Sequence, residues 1–481
     1  MTETTFIPHV IGSDEREASD GRSFDNIDPW TQRAVASVAR GGPVDAAAAM
    51  AAARAAFDDG PWPLMSERER GVLLHRFADV MASHAEDLAL ADAHDMGRPI
   101  AAMRTFDVPR AIGMIRFFAD HLALATADTY PMGPAFHAFT AYRPAGVVVA
   151  ISPWNHPLML GVWKIAAALT WGNTVVWKPA EDSPTSASLV GAYALEAGIP
   201  AGALNVVQGR GSEIGDALTS SAGADRITFT GSTATGRRVA EIAAKQLVPV
   251  TLELGGKGAT IVLDDADLEL AASTAARAVF NNTGQVCLAG TRVLVHNRVR
   301  EAFMARFQAH AEALRVGDPF DAATDLGPLA SQRQFERVSG YFDLAHDEGT
   351  VLLGGPGEGW TFTPTIVTDL DRRGRVWREE VFGPMAAVTG FDDLDEAVAA
   401  ANDTDYGLTA VVFTESTRLA HTIARRLRSG TVWVNCYQVR DLRAPIGGPG
   451  SSGIGREGGD FSREFFTEPQ AVFLSTSVDD A

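Results

Sequence analysis

The chain has 481 residues, a net charge of −19 at pH 7 and two cysteines. Its length indicates about two to four domains of roughly 100–200 residues each, and its 46% apolar content provides for ordinary hydrophobic cores. Two cysteines exclude a disulfide-stapled scaffold and a thiolate zinc cluster. The acidity argues against general affinity for nucleic acid or an anionic membrane, although it does not forbid a local basic pocket for a small anion.

The amino-terminal segment MTETTFIPHV lacks the basic start and the apolar run of a signal peptide. No apolar stretch of the sequence approaches the ~20 residues that a membrane span needs. We therefore expect a soluble cytoplasmic protein whose thiols are reduced.

The first part of the chain predicts helices. Residues 44–58 are rich in alanine, Ser66 and Glu69 have the spacing of a capping box, and Gly97 is placed to end a helix. A proline then starts a predicted helix over Arg110–Leu124, whose apolar residues recur at intervals of three and four.

The central region predicts strands that alternate with helices. This alternation indicates βαβ units and a parallel sheet, and five such strands suffice for a dinucleotide-binding architecture with its site at their carboxyl ends. A second α/β set follows. The predicted strands are 146–152, 174–178, 204–207, 227–230, 250–254, 260–263 and 291–296. The predicted helices are 158–170, 183–198, 212–220, 233–246, 267–280 and 299–314.

Cys287 lies in FNNTGQVCLAG (280–290), a turn-rich break between a helix and a strand. Most free cysteines are small buried hydrophobic residues, and that interpretation stays open. The alternative is a nucleophile, because exposed backbone N–H groups in an Asn- and Gly-rich segment stabilise a thiolate. Cys436 ends an alternating strand, VWVNC, and is better interpreted as structural.

Glu253 and Asn155 are polar residues at the ends of predicted buried strands. Glu253, in LELGGK (252–257), would have its pKa raised towards neutrality by burial, which makes it a usable general base. Alternatively, it pairs with Lys257. Asn155, in SPWNHP (152–157), lies on a loop that prolines stiffen. Its amide could donate to an oxyanion, or it could form a simple Asx turn.

Two glycine-rich segments and one charged pair suggest a dinucleotide. GRGSEIG (209–215) is one residue longer than the dinucleotide fingerprint, and FTGSTATG (229–236) could offer helix N–H groups to a pyrophosphate. Each alone is a weak signal. Lys178 and Glu181, in KPAE, end a parallel strand and suit the hydroxyls of an adenosine ribose. A carboxylate there repels a 2′-phosphate, which favours NAD over NADP.

Together these residues resemble the aldehyde dehydrogenase superfamily over essentially the whole chain. Seven motifs stand in the family's order and at its spacing: SPWNHP, WKPAE, FTGSTATG, LELGGK, NNTGQVC, EEVFGP (379–384) and SGIGREGG (452–459). Seven motifs in register make coincidence implausible. The resemblance implies an α/β fold with a Rossmann-like NAD-binding domain, an α/β catalytic domain and a β oligomerisation element.

The resemblance also implies a role for each matching position. Cys287 would be the nucleophile and Glu253 the base that activates water, while the Asn155 amide and the Cys287 N–H would form an oxyanion hole. Lys164 and Glu457 would be a proton-relay pair. The positions that match NAD contacts are Trp154, Lys178, Glu181, Gly211, Gly231, Ser232, Glu380 and Phe382. The implied reaction converts an aldehyde to a carboxylic acid through a Cys287 thioester and needs no metal.

Within the superfamily the chain is most similar to the hydroxymuconic and aminomuconic semialdehyde dehydrogenases of aromatic catabolism. The similarity rests on VPRAIGMIRFFAD (108–120), TATGRR (233–238) and NCYQVRDLR (435–443). Arg110 and Arg440 match positions that hold the substrate carboxylate, and Arg443 is a weaker candidate. A guanidinium clamp suits a carboxylate remote from the aldehyde, although any one arginine could simply be a solvated surface residue.

One segment departs from the family pattern PFGGxKxSG. Here the sequence is APIGGPGSSG (444–453), in which Ile446 replaces an aromatic residue and Gly450 a lysine. Because this segment borders the aldehyde entrance, we expect a wider pocket, and a non-acidic aldehyde stays an alternative. Three further rivals are a coenzyme A-acylating dehydrogenase, a non-catalytic NAD-binding protein and a cysteine hydrolase. Glu253 argues against the first, the complete catalytic set against the second, and the lack of a histidine partner near Cys287 against the third.

The resemblance implies three domains. Residues 1–121 and 143–253 would form the NAD-binding domain, 254–440 the catalytic domain, and 122–142 with 460–481 the oligomerisation element. The extended segments 135–142 and 471–478 fall in the third part, where exposed edge strands invite pairing between subunits. We expect a homodimer or homotetramer whose other partner is a small aldehyde, with no nucleic-acid or membrane partner.

Overall fold

The computed structural model describes residues 5–476, so the last residues of the extended segment predicted at 471–478 lie outside it. The strands are β1 Thr5–Ile7, β2 His9–Ile11, β3 Asp14–Arg16, β4 Ser23–Asp28, β5 Arg33–Ala39, β6 Thr129–Tyr130, β7 Phe136–Pro144, β8 Val147–Ile151, β9 Thr174–Lys178, β10 Leu204–Val206, β11 Arg226–Thr230, β12 Val250–Glu253, β13 Ala259–Val262, β14 Arg292–His296, β15 Thr350–Pro356, β16 Phe362–Thr368, β17 Met385–Phe391, β18 Thr409–Phe413, β19 Thr431–Val434, β20 Gly453–Ile454 and β21 Thr467–Ser475.

Helices connect most of these strands. They are α1 Pro43–Asp58, α2 Glu67–Ser83, α3 Ala85–Met96, α4 Ile100–Ala102, α5 Val108–Leu122, α6 Pro157–Thr170, α7 Thr185–Glu196, α8 Asp216–Thr219, α9 Thr233–Ala244, α10 Leu268–Phe280, α11 Arg300–Glu312, α12 Gln332–Glu348, α13 Arg375–Arg378, α14 Leu394–Asn402, α15 Thr417–Arg426 and α16 Gly459–Phe466. None of the helices between residues 5 and 476 is both long enough and apolar enough to cross a bilayer.

The first large sheet has the strand order β20-β12-β11-β8-β9-β10-β2-β3. Its five central strands are parallel and are the five that the sequence predicts. From β8 the chain runs outward through β9 and β10, and later returns to place β11 and β12 on the other side of β8. Such a reversal of strand order opens a crevice at the carboxyl ends of the strands. The loops after β8 and β11 therefore flank a ready-made binding site.

A second large sheet has the order β15-β16-β17-β14-β13-β18-β19 and is parallel except for its first pair. Buried apolar side chains pack on both faces of each large sheet, as in a doubly wound α/β protein. The third sheet, β21-β7-β6, is antiparallel, and β21 pairs with β7 from Thr467 opposite Pro144 to Ser475 opposite Phe136. The two segments predicted to be extended are thus partners in one sheet.

Local signals explain most element boundaries. Ser66 and Glu69 form the predicted capping box of α2, a device that stabilises a helix by about 1 kcal/mol. Gly97 ends α3 with a φ of 70°, as predicted. The helix predicted at 212–220 is instead a π-helical turn at Gly211–Gly215 followed by α8, because its two glycines disfavour a regular helix.

Candidate active site

A cavity of about 760 Å³ lies at the carboxyl ends of β8, β9, β11 and β12. Every predicted cofactor-binding residue lines it, together with the predicted nucleophile and oxyanion donor. These lining residues are Trp154, Asn155, Lys178, Glu181, Gly211, Gly231, Ser232, Cys287, Glu380 and Phe382. The loops between strands and helices thus bring residues such as Trp154 and Phe382, which are 228 positions apart in the chain, into one crevice.

One end of the cavity carries the lysine–carboxylate pair. The Lys178 Nζ lies 3.6 Å from the Glu181 Oε2, which also accepts a 3.3 Å hydrogen bond from the Gly211 N–H. Burial opposes ionisation of Glu181, but Lys178 and the Gly211 N–H outweigh burial and hold the pKa of the carboxyl below its usual value. A ribose diol can donate hydrogen bonds to the Glu181 carboxylate and accept hydrogen bonds from the Lys178 ammonium group.

The amino terminus of α9 faces the same cavity. Ser232 caps this helix by accepting a 3.3 Å hydrogen bond from the Thr235 N–H, and Gly231, Ser232 and Thr235 all line the cavity. Unpaired N–H groups and the positive end of the helix dipole make such a terminus a site for phosphate oxygens. The structure therefore places this helix end at the cavity, and the pyrophosphate contact stays a prediction.

The other end of the cavity carries Glu380 and Phe382. The Glu380 carboxylate accepts a 2.8 Å hydrogen bond from the Gly256 N–H, and burial raises its pKa to about 7. The Phe382 ring meets the Trp154 ring edge-on at 5.4 Å, and Phe382 has a left-handed φ of 61°. A strained residue beside a cavity wall shows that the fold fixes this end of the site at some energetic cost.

Helix α12 holds this strained segment, and the sequence did not identify it. Its Gln334 Nε2 donates to the Phe382 carbonyl at 2.6 Å, and its Arg337 Nε donates to the Val381 carbonyl at 3.2 Å. Ser331 caps the helix by accepting from the Gln334 N–H, and this serine is the local signal that predicts the start of α12. A helix far along the chain thus sets the position of the Glu380 segment.

Cys287 lies on the irregular segment between α10 and β14. Asn282 and Thr283 have φ values of 53° and 54°, which turn the chain sharply into the cavity. The thiol is half-buried, packs partly against apolar side chains and lines the cavity, so both sequence interpretations describe part of its environment. Burial and then the nearby Glu380 charge raise its pKa to about 12, and the Arg440 guanidinium opposes that rise.

Asn155 is tied to the segment that carries the thiol. Its Nδ2 donates to the Gln285 carbonyl at 2.8 Å, and its own carbonyl accepts from the Asn282 Nδ2 at 2.8 Å. A side-chain amide has two N–H donors, and the bond to Gln285 uses one of them. This bond to Gln285 is not an Asx turn, and a role for the second N–H as an oxyanion donor stays a prediction.

Glu253 is buried at the end of β12. Burial and the neighbouring Glu457 charge raise its pKa to about 8, while Lys164 opposes the rise. Its Oε1 has no hydrogen-bond partner among the described residues. The alternative pairing with Lys257 does not occur among them either, and burial and Arg292 lower the pKa of Lys257 to about 7. A carboxyl with a near-neutral pKa and an open oxygen suits a general base.

Lys164 and Glu457 form a buried ion pair with an Nζ–Oε1 distance of 2.8 Å. Trp163 and Thr228, which the sequence did not identify, complete the network. The Trp163 Nε1 donates to the Glu457 Oε2 at 2.7 Å, and the Thr228 Oγ1 lies 3.1 Å from the Glu457 Oε1. Because Glu457 also raises the pKa of Glu253, the pair is electrostatically linked to the proposed base.

Of the three predicted substrate arginines, the structure brings two together. Arg110 and Arg440 are half-buried, and burial followed by the charge of Arg440 lowers the pKa of Arg110. Burial also lowers the pKa of Arg440, while Cys287 opposes that shift. Arg443 instead lies exposed and pairs with Asp441 at 2.6 Å. Arg110 stacks over Phe106, and within residues 5–476 neither it nor Arg440 has an ion-pair partner.

The segment that departs from the family pattern has a structural role. The Ile446 N–H donates to the Glu457 carbonyl at 2.8 Å, and the Glu457 N–H donates back at 2.9 Å. Gly450 has a φ of 65°, which disfavours a side chain at this position. The backbone of this segment therefore orients Glu457, and whether the pocket is wider here stays a prediction. No cluster of three or more metal-ligating side chains occurs in the part of the chain described.

Comparison with known proteins agrees with this site. The model of the Aldehyde dehydrogenase family matches residues 16–472. A 2-hydroxymuconic semialdehyde dehydrogenase from Pseudomonas sp. (strain CF600) is 42% identical over 477 residues, which cover 96% of this chain and 98% of the relative. A mitochondrial benzaldehyde dehydrogenase from Antirrhinum majus is 40% identical over 461 residues, which cover 95% and 86%.

A solved structure, the NAD+ complex of an aldehyde dehydrogenase from Bacillus cereus, matches the fold with a TM-score of 0.96. It is 37% identical, and the match covers 98% of this chain and 97% of that one. The predicted family resemblance and α/β fold class are confirmed. The chain belongs to the aldehyde dehydrogenase family and is an aldehyde-oxidising oxidoreductase.

Proposed function

We propose that this protein oxidises a carboxylate-bearing semialdehyde of the hydroxymuconic or aminomuconic type to a dicarboxylic acid. The observation that carries the proposal is the pair Arg110 and Arg440. The charge of Arg440 is close enough to lower the pKa of Arg110, and Cys287 in turn affects the pKa of Arg440. Neither arginine has an ion-pair partner among the described residues. Two half-buried guanidinium groups that have no ion-pair partner among the described residues favour a ligand that supplies a carboxylate.

The similarity of sequence does not choose the substrate. The relatives named for a muconic semialdehyde and for benzaldehyde are 42% and 40% identical, a difference too small to discriminate. The arginines favour an acidic aldehyde, because a bidentate charge-assisted hydrogen bond is available only to a substrate that carries a carboxylate. A non-acidic aldehyde would leave both guanidinium groups unpaired in a partly desolvated site.

NAD+ is the cofactor, and when bound it supplies the hydride acceptor. Lys178 and Glu181 would hold the adenosine ribose, and Glu380 would hold the nicotinamide ribose. The amino terminus of α9 would meet the pyrophosphate through its free N–H groups. Phe382 and Trp154 would wall the nicotinamide end. The ionised Glu181 disfavours a 2′-phosphate, which is the reason for expecting NAD rather than NADP.

The chain's own residues then carry the chemistry. Cys287 first loses its thiol proton to solvent in the cavity, and the thiolate then attacks the aldehyde carbon. The Asn155 amide and the Cys287 N–H bind the resulting oxyanion. Losing one such donor typically costs ~10²–10³ in rate. Departure of hydride from this adduct leaves a thioester on Cys287. Glu253 takes a proton from water, the hydroxide cleaves the thioester, and the Lys164–Glu457 pair offers the next proton acceptor.

The rival functions explain fewer of these features. A coenzyme A-acylating dehydrogenase needs no water-activating base, yet Glu253 is buried with an open oxygen and a pKa of about 8. A non-catalytic NAD-binding protein has no use for a thiol and an oxyanion donor on the same cavity wall. Because the mechanism requires a free Cys287 thiol, a reducing cytoplasmic setting fits the proposal.

The Cys287→Ala variant tests the nucleophile. We expect its NADH production, followed by absorbance with adipic semialdehyde, to fall below ~0.1% of wild type, because no thioester can form. Cys436→Ala is the matched control and should retain full activity, since Cys436 packs against apolar side chains. Equal activity of Cys287→Ala and wild type would contradict the assignment.

The role of Glu253 predicts a pH dependence. Its pKa of about 8 means that most molecules carry a protonated carboxyl at neutral pH, so thioester hydrolysis should accelerate as the pH rises through 8. Glu253→Gln should release about one NADH per subunit in a rapid burst and then stall, because the thioester forms but water is not activated. The burst is an internal control for the first half-reaction. Sustained wild-type turnover by the variant would exclude Glu253 as the base.

Arg440→Ala tests the substrate class. We expect kcat/KM for adipic semialdehyde to fall about 10- to 100-fold, the cost of a charge-assisted hydrogen bond, with little change for hexanal, a neutral aldehyde of the same chain length. Arg443→Ala is the control, because Arg443 is already paired with Asp441 on the surface. An unchanged preference in Arg440→Ala would favour a non-acidic aldehyde as the substrate.

Strand β21 supports the predicted homodimer or homotetramer. It lies at an edge of the third sheet and exposes Phe473 and Leu474, which a subunit partner would cover. Light scattering at micromolar concentration should therefore give the mass of a dimer or tetramer for wild type and a smaller mass for Phe473→Glu. A wild-type monomer would contradict this prediction.

A further inference from the structure

The residue after Asn155 is a buried histidine that the mechanism above does not use. His156 is 5% exposed and stands at the amino-terminal cap position of α6, yet its side chain makes no capping hydrogen bond. Asp92 serves that helix end instead by accepting from the Leu158 N–H at 3.1 Å. The His156 ring therefore has another task, and its Nδ1 lies 2.7 Å from the Asp107 Oδ1.

Asp107 is the centre of a three-residue buried network. Its other oxygen, Oδ2, accepts a 2.7 Å hydrogen bond from the Arg98 Nε, and Arg98 and Asp107 are both buried. Burial opposes ionisation of Asp107, but Arg98 and His156 outweigh it, so its pKa lies below the usual value. Burial likewise lowers the pKa of His156, with Asp107 opposing. A neutral imidazole beside an ionised carboxylate donates through its Nδ1–H, which fixes both the tautomer and the ring orientation.

Asn155 is thus held from two directions. On one side its backbone carbonyl and its amide bond to Asn282 and Gln285, in the segment that carries the thiol. On the other side the next residue in the chain, His156, is anchored to Asp107. Because the peptide bond between Asn155 and His156 is planar, anchoring the His156 side chain restricts the rotation of the loop that presents the Asn155 amide.

We propose that Asp107 and His156 form a positioning pair that holds Asn155 in the geometry of the oxyanion hole. The inference rests on the proposed role of Asn155 in binding the oxyanion. Asp107 also directly precedes α5, the helix that carries Arg110, and its charge raises the pKa of that arginine against the effect of burial. One carboxylate is therefore a common anchor for the loop at the reacting carbon and for the helix at the remote carboxylate.

The kinetic reason is that an oxyanion donor acts only when it is accurately placed. A displacement of about 1 Å at a catalytic group can cost ~10² in rate. His156→Leu removes the hydrogen bond while keeping an apolar side chain of similar bulk. We expect it to lower kcat for hexanal ~10- to 100-fold with little change in NAD+ affinity. His156→Asn should retain most of kcat, because its Nδ2 occupies about the position of the histidine Nδ1.

A double-mutant cycle separates positioning from a merely structural role. If His156 acts through Asn155, the variant that combines His156→Leu with Asn155→Ala should be no slower than Asn155→Ala alone, since the placed amide is already gone. If the two losses multiply, or if His156→Leu has no effect, the proposal is overturned. His94→Leu is the matched control and should keep wild-type kcat, because the His94 Nδ1 pairs with the Asp28 Oδ2 at 2.9 Å outside the cavity.

Two further outcomes keep the test decisive. Asn155→Ala alone must lower kcat; if it does not, the proposed oxyanion role fails and the positioning role fails with it. If Asn155→Ala is slow while His156→Leu is not, only the positioning inference fails. Should His156→Leu not fold, the same cycle is run with His156→Gln, whose longer side chain carries its donor away from the Nδ1 position. That variant should lose kcat where His156→Asn does not, and equal activity of the two would overturn the proposal.

Discussion

Strands β8 and β11 lie side by side, but the chain leaves them towards opposite edges of the sheet. The helices that follow therefore diverge, and no backbone fills the space above the two carboxyl ends. Everything chemical in this protein depends on that gap. Asn155 follows β8, Ser232 follows β11, and Glu253 ends the neighbouring β12. The second large sheet then brings Cys287 and Glu380 over the opening, so that two packed α/β layers enclose one cavity.

Burial of charge is the second constraint, and it acts differently on each group. Glu253, Glu380 and Cys287 are all shifted towards their neutral forms, because water is excluded and few counter-charges reach them. Asp107 stays ionised since Arg98 and His156 both contact it. The interior thus keeps the Asp107 carboxylate charged, so that it can anchor its neighbours, and leaves Glu253 able to exchange a proton near neutral pH. The strongly negative net charge of the chain conceals this local division.

The site residues could be predicted from the sequence more completely than their supports, which are the residues that hold them in place. Glu253 and Asn155 could be found because each stands where a buried strand ends, and strand ends meet at one edge of a parallel sheet. The eight proposed cofactor contacts were implied by the resemblance to the aldehyde dehydrogenase family, and all of them line the cavity. Arg443 shows the limit of that method, since it matched a motif yet pairs with Asp441 on the surface. Whether Arg443 pairs with Asp441, two residues before it, depends on side-chain rotamers and solvent exposure, which a motif match does not encode.

The supports could not be predicted because they are long-range contacts between ordinary polar residues. Gln334 reaches the Phe382 carbonyl across 48 positions, and His156 reaches Asp107 across 49. Neither pair forms a local pattern, and each side chain taken alone reads as a surface residue or a helix cap. The irregular turns at Asn282, Thr283 and Phe382 were likewise hidden, because non-glycine residues adopt a positive φ only when tertiary packing imposes it.

The two-residue strand β20 has a consequence for the order in which the enzyme is built. Gly453 pairs with Glu253 at the edge of the first sheet, where any side chain would overlap the Leu252 carbonyl, and Glu457 follows just beyond. A nascent chain that ends at β19 already contains the cofactor strands and the thiol, but it lacks the strand that covers the base and the carboxylate that completes the relay. Pairing between residues so far apart in the chain is slow, because the entropy of loop closure must be paid first. Gly453 and Glu457 are therefore synthesised after both Glu253 and Cys287, so the carboxyl-terminal segment completes the surroundings of a base and a thiol that the chain already contains.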